Sequence, residues 1–281
     1  MPTTLKARRP AAKAASKVPA KKTTKSPRPA AAPKRAGETM SLADVMRALE
    51  QAGSAQTRKT YTRHGATGPM FGVSFATLST LQKRIRVDHP LALQLWDTGN
   101  VDARNLAMKI ADPAVITSAD LDRWARENPM GMCGLYIASL AQESAHGAAK
   151  AKQWPASPNP KLQATGWTLI AVLASRDEHS PDETYGKHLT TIERSIHAAQ
   201  NEVKYAMNNA LIAIGGRSAG LRKSAIAAAN RIGRVDVDHG DTSCKTPDAV
   251  EYIGKMWERS GTKFPSPAAA ERARDSMRTR C

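Results

Sequence analysis

From Ser41 to Gly233 apolar side chains recur at three- and four-residue intervals, and no stretch shows the two-residue alternation of a half-buried strand. Leu42, Val45, Met46 and Leu49 mark one helical face, closed by Gly53. Leu78, Leu81 and Ile85 mark another in "SFATLSTLQKRI". "DHP" at 88–90 reads as a helix start and leads into Leu91, Leu95 and Trp96. Asn100 or Asp102 caps "VDARNLAMKIA", whose Leu106 and Ile110 share a face with Ala103 and Ala107. Ser118 caps "SADLDRWARE", with Leu121 and Trp124 turned inward, and a helix over 130–145 follows. After the Pro-rich turn "WPASPNPK" come Trp167, Ile170, Ala171 and Ala174, then Leu189, Ile192, Ile196 and Ala199. Val203, Met207, Leu211 and Ile214 precede Gly215-Gly216, and Leu221, Ala225, Ala228 and Ile232 precede Gly233. Helices of this length with short connections predict an all-α fold, an α-solenoid of stacked helix pairs, although no strict repeat period is visible.

Composition agrees with this pattern. Apolar content of 41% supports a packed core, while 5% aromatic residues and abundant Ala favour helices packed through small side chains. The three cysteines, Cys133, Cys244 and Cys281, are widely spaced and fit neither a disulfide framework nor paired zinc spacing. This cysteine usage makes a reducing cytoplasm the expected location, and no apolar run is long enough for a transmembrane helix, so no membrane association is expected.

Charge then divides the chain into three parts. The net charge is +17, yet residues 37–254 carry 24 basic and 22 acidic side chains. The excess lies at the ends: residues 1–36 hold 11 Lys and Arg with no acid, and residues 255–281 hold 7 basic against 3 acidic. The expected organisation is a disordered Lys/Ala/Pro-rich tail over 1–38, a helical-repeat domain over 39–260 and a basic C-terminal tail over 261–281. The first tail resembles those of linker histones and histone-like bacterial proteins. It lacks aromatic residues and cannot bury enough surface to offset chain entropy. Lys6, Arg8, Arg9, Lys13, Lys17, Lys21, Lys22, Lys25, Arg28, Lys34 and Arg35 would contact nucleic-acid phosphates without reading sequence.

One stretch departs from the ordinary helix pattern. "NPMGMCGLYIASLA", residues 128–141, opens a helix with two Gly, two Met and one Cys. Small, soft residues of this kind suit close helix packing.

The strings "MFGVSFATLSTLQKRI", "LALQLWDTGNVDARNLAMKIAD" and "VDVDHGDTSCKTPDAVEYI" resemble the DNA alkylation repair family of HEAT-like-repeat proteins, which includes glycosylases for alkylated purines. The resemblance covers most of 41–257. It implies a HEAT-like superhelix whose concave groove holds double-stranded DNA. In active members a Trp-Asp-x-x-Asp helix, a second Trp and an Arg surround the damaged nucleotide. A carboxylate there stabilises the developing oxocarbenium sugar, and aromatic faces attract the cationic base. Alignment through the helix start puts Met130 and Gly131 at the Trp-Asp positions and Gly134 at that of the catalytic Asp. The second Trp position falls near Ala213 and the Arg near Ala164. No catalytic residue transfers, and Trp154 and Trp167 read as packing residues. The nearest carboxylates are Glu127 and Glu143.

Other candidate chemistry is weaker. Asp236, Asp238, His239, Asp241, Cys244 and Asp248 cluster in sequence, but their spacing matches no metal site and reads as a structural turn. "GGRSAG" follows a helix and reads as a helix end. No metal or cofactor is expected. Two acid-free segments, 54–87 and 203–235, supply most candidate DNA contacts of the body: Arg58, Lys59, Arg63, Lys83, Arg84, Arg217, Arg222, Lys223 and Arg231, to which Arg104 and Lys245 are added. The sequence thus describes a monomeric, nucleoid-associated DNA-binding protein. Glycosidic hydrolysis, an inactive architectural role and a protein-interaction scaffold all stay open.

Overall fold

Short polar side chains set the helix boundaries. Ser41, Ser54, Ser74, Asp88, Asn100, Thr117, Asn159, Ser218, Asp248 and Ser266 each accept a hydrogen bond from a first-turn N–H of the helix that follows. In the computed structural model, which describes residues 39–274, these caps open α1 (Leu42–Gln51), α2 (Ala55–Arg63), α3 (Phe75–Ile85), α4 (His89–Asp97), α5 (Val101–Ile110), α6 (Ser118–Arg126), α9 (Pro160–Arg176), α12 (Ala219–Ile232), α13 (Ala249–Ser260) and α14 (Pro267–Ala273). The remaining helices are α7 (Gly134–Glu143), α8 (Gly147–Gln153), α10 (Asp182–Ser195) and α11 (Asn201–Gly215). Every regular element among the described residues is helical, as the periodicity predicts. The N-terminal basic tail lies outside the described residues.

The helices stack in two rows. α5, α7, α9, α11 and α13 pack each against the next, and α9 lies along much of α11. α4 packs beside α5, α6 beside α7, and α10 and α12 pair with each other beside α11. Two apolar cores result, and α9 belongs to both. Its Leu162, Leu169 and Val172 enter the first, which starts at Val45; its Trp167, Ile170 and Ala174 enter the second, which ends at Ile253. Gly166 and Gly215 allow close approach because their side chains are hydrogen only. A β-carbon on Gly166 would fall 2.6 Å from the backbone nitrogen of Pro155, and one on Gly215 would fall 2.6 Å from Ile253 Cδ1. "GGRSAG" is a helix end, with Gly216 as the C-cap of α11.

Four helices were not visible as apolar stripes, because each buries little. α2 buries only Tyr61 and α13 only Ile253. α8 has no apolar face beyond alanines. α14 lies where charge alone suggested a tail, but Pro267, Ala268 and Ala270 are buried. There Ala268 N–H donates to Gly216 O at 3.0 Å, and Arg272 pairs with Glu178 at 2.6 Å. The described part of 261–281 is therefore an extension of the stack.

The two alternatives for capping α5 have separate roles. Asn100 caps the helix, accepting from the N–H groups of Asp102 and Ala103 at 2.9 and 3.1 Å. Asp102 is fully buried, and its carboxylate accepts from the backbone N–H groups of Phe71, Gly72 and Val73 at 2.7, 2.9 and 2.8 Å. This fastens the loop before α3 to the first turn of α5 and satisfies three amides that helix geometry cannot reach. Gly72 fits there because its φ is +80° and a β-carbon would strike Ser54 and Arg58. Replacing Asp102 by Ala strands three amide donors, so Asp102→Ala is expected to lower unfolding free energy by about 3 kcal/mol or more, read from urea denaturation of the purified protein.

Candidate nucleic-acid interface

The helix start at 128–134 is built around a buried asparagine. Asn128 is 7% exposed, and its Oδ1 accepts from Met130 N–H at 3.3 Å. A 3₁₀ turn, Gly131–Cys133, then runs into α7, and no side chain caps it. Met130 and Cys133 are buried, as close-packing residues should be. The two glycines are different. A β-carbon on exposed Gly131 would meet nothing within 4 Å. One on buried Gly134 would make ordinary contact, 3.5 Å from Asn128 Nδ2 and 3.8 Å from Thr165 Oγ1. Packing therefore does not demand glycine at either position.

Burial pushes the Cys133 thiol up to about 12, against the opposing pull of Lys109. Cys133 is thus a neutral, inert core residue at ordinary pH. Lys109 itself is 4% exposed and sits 3.7 Å above the Tyr136 ring.

Glu127 and the tryptophans nearby have partners within the fold or lie in its cores. Glu127 accepts from Trp96 Nε1 at 2.8 Å and from Arg104 at 2.9 Å. Glu143 is the last residue of α7, at the far end from Gly134. Trp96 and Trp124 are buried and stacked at 4.4 Å. Trp154 is buried and donates to Asp122 at 2.6 Å, sharing that carboxylate with buried Lys150; Trp167 is buried in the second core. Trp257 donates to Gly215 O and lies under Arg222. Gly134, Ala164 and Ala213 stand on α7, α9 and α11, three successive helices of one row, and none offers a functional group.

The basic candidates fall into two groups. Lys59, Arg63, Lys83, Arg84, Lys223 and Lys245 are exposed. Several others are held by protein partners. Arg104 donates to Trp96 O and to both the backbone and side chain of Glu127. Arg217 reaches Ala174 O, Asp177 O, Ser180 O and Asp182, with only 8% of its side chain exposed. Arg231 is bidentate with Glu193 at 2.6 and 2.9 Å, and Arg58 donates to Phe71 O at 3.0 Å. Sequence charge alone could not separate the two groups, because partners such as Glu193 and Asp182 lie more than 30 residues away.

The Asp-rich loop between α12 and α13 lines a cavity of about 690 Å³, and its polar groups serve the loop. Asp236 pairs with Arg234, Asp238 accepts from Gly240 N–H, and Asp248 caps α13. His239 contacts Thr246 at 3.0 Å and stands edge-on to Tyr205. Among the described residues no group of three His, Cys, Asp or Glu could hold a metal. No helix among them is long and apolar enough to cross a membrane.

Two rows of stacked helices sharing continuous cores define a HEAT-like helical-repeat protein. Residues 45–253 match the family model described as "DNA alkylation repair enzyme", and the chain belongs to that family. It is 26% identical to an uncharacterized protein of Listeria innocua over 218 residues, covering 75% of this chain and 95% of the relative. An uncharacterized protein of Listeria monocytogenes is likewise 26% identical over 219 residues, with 75% and 95% covered. A solved structure described as "a new family of proteins related to the HEAT-like repeat DNA glycosylases with affinity for branched DNA structures" superposes with a TM-score of 0.73 at 29% identity, over 81% of this chain and 98% of that one.

Two expectations follow from the local packing. Gly134→Ala fills existing space and removes a helix glycine, raising stability by about 0.5–1 kcal/mol in thermal or urea unfolding. Gly166→Ala collides with backbone and lowers it by about 1–3 kcal/mol. In the native protein at pH 8, peptide mapping after brief alkylation should find Cys244 modified and Cys133 untouched, because of these two cysteines among the described residues Cys244 is exposed and Cys133 buried.

Proposed function

We propose that this protein binds branched DNA and leaves its glycosidic bonds intact. One observation carries the second half. The positions that hold the chemistry in alkylpurine glycosylases are Gly134, Ala164 and Ala213 here, and the one carboxylate close to the helix start, Glu127, is engaged by Arg104 and Trp96. With no carboxylate or aromatic side chain at these positions, nothing there stabilises a sugar cation or cradles a charged base. The first half rests on the related structure, whose family has affinity for branched DNA and which covers nearly all of its length with this chain. Exposed Lys59, Arg63, Lys83, Arg84, Lys223 and Lys245 are contacts for the backbone, and the N-terminal tail adds sequence-independent attraction in a monomeric, nucleoid-associated protein.

Fluorescence anisotropy with a four-way junction and a linear duplex of equal length tests the reading. Junction affinity about tenfold or more above duplex affinity is expected. Equal affinity for both overturns the branched preference, and no retention of either overturns DNA binding. Incubation with duplexes carrying 7-methylguanine or 3-methyladenine should release no base above the spontaneous rate; release would overturn the non-hydrolytic half. Deleting residues 1–36 should flatten the salt dependence, with the slope falling by about 0.9 for each phosphate the tail neutralises.

A further inference from the structure

The loop between α12 and α13 does more than join them. We propose that the cavity it forms against α11, with Tyr205 at its rim, receives one unpaired nucleobase at a DNA branch. That the base comes from DNA rests on the binding reading above; the preference of the cavity for a nucleotide over bare phosphate does not.

Residues 233–248 form no helix. Irregular connections longer than about 12–15 residues are uncommon in compact folds and usually functional. This one is fastened to α11 near both of its ends. Asn201, at the start of α11, bonds the O and the N–H of Asp238 at 2.6 and 2.8 Å. Asn208, further along the same helix, donates to Pro247 O at 2.9 Å. Within the loop His239 contacts Thr246 at 3.0 Å, and Thr242 donates to His239 O at 2.8 Å. A wall built in advance in this way leaves little ordering to oppose binding.

Tyr205 stands on α11 between the two fastenings. It is 38% exposed, and the His239 ring meets it at 5.4 Å and 89°. An edge-on contact leaves at least one face of the Tyr205 ring uncovered by the imidazole, and every base has a face to stack on it. His239 and Asn208 both line the cavity, and Asn208 is one helical turn from Tyr205. The ring and the cavity are therefore neighbours on two sides.

The cavity, about 690 Å³, is large enough for a nucleotide. Leu211, Ile232 and Val235 share its wall with Asn208 and Thr246, so apolar surface and hydrogen-bonding groups alternate there. Its carboxylates have uses already: Asp236 pairs with Arg234 at 2.8 Å, and Asp248 caps α13. Exposed Lys245, also in the wall, supplies a charge for the phosphate that accompanies the base. This wall suits an uncharged heterocycle with donors and acceptors better than a bare anion. In a linear duplex such a base must first be unpaired and unstacked, whereas at a branch it is already free. A receptor for one loose base thus favours branched over linear DNA without reading sequence.

The test uses the full chain carrying Cys281→Ser and two three-way junctions, one with an unpaired adenine at the branch and one with an abasic residue in its place. The adenine junction should bind about tenfold more tightly. Tyr205→Ala should cut that ratio to about twofold or less, and Tyr205→Phe, which keeps the ring, should restore it. Labelling with N-ethylmaleimide should cut it likewise, because Cys244 is exposed and lines the cavity while Cys133 is buried. Equal binding of the two junctions, or a ratio that survives Tyr205→Ala or the label, overturns the site. Failure to bind either junction defeats the DNA-binding reading instead. A ¹H–¹⁵N titration with deoxyadenosine monophosphate against inorganic phosphate then decides whether the cavity takes a nucleotide. Shifts of the Lys245 and Thr246 amides with the nucleotide alone sustain it, and unmoved amides or equal shifts with phosphate overturn it.

Discussion

The stack depends on α9. This helix supplies side chains to two apolar cores, and its faces meet α7 on one side and α11 on the other. A helix that must satisfy both neighbours cannot move to suit either one. Its Gly166 lets the turn at Trp154–Ala156 press against it, and its first turn brings Lys161 to Asn128. The position of the α7 start relative to the rest of the row is therefore a consequence of core packing.

Most of the fold was legible in the sequence because its signal is local. Period-3.6 stripes such as Leu78, Leu81 and Ile85 fill the cores as read; Asp88 and Asn100 cap the helices they were read to start, and Thr117 caps α6 in place of Ser118. The helices missed, α2, α8, α13 and α14, are held by one or a few buried groups each, so their stability comes from neighbours rather than from a stripe of their own. The candidate interface was legible only in what it lacks. Gly131 and Gly134 were visible as absences in a catalytic pattern, but the burial of Asn128 and its bond to Met130 N–H depend on contacts that no spacing reveals. The same holds for the basic residues: Arg217 and Lys223 look alike in the sequence, yet one spans four acceptors inside the fold and the other faces solvent.

Asp102 shows how a family motif can be structural. The "FGV" string and the "VDARNLA" string belong together because the aspartate of one holds three amides of the other. Arg104 in the second string closes a further link through Glu127 to Trp96. These residues hold the scaffold together independently of any chemistry. Likeness in such strings is a statement about architecture, and chemistry has to be argued from the groove itself.

Gly134 has one more consequence. At this hydrogen-only position the surrounding atoms leave room for a side chain: Asn128 and Thr165 stand back at ordinary contact distance. With no neighbour advancing into this volume, there is no steric obstacle to adding bulk at that site. A designer seeking a new reaction centre in this stack would find an unfilled socket at the head of α7 that admits a side chain without rebuilding the helices around it.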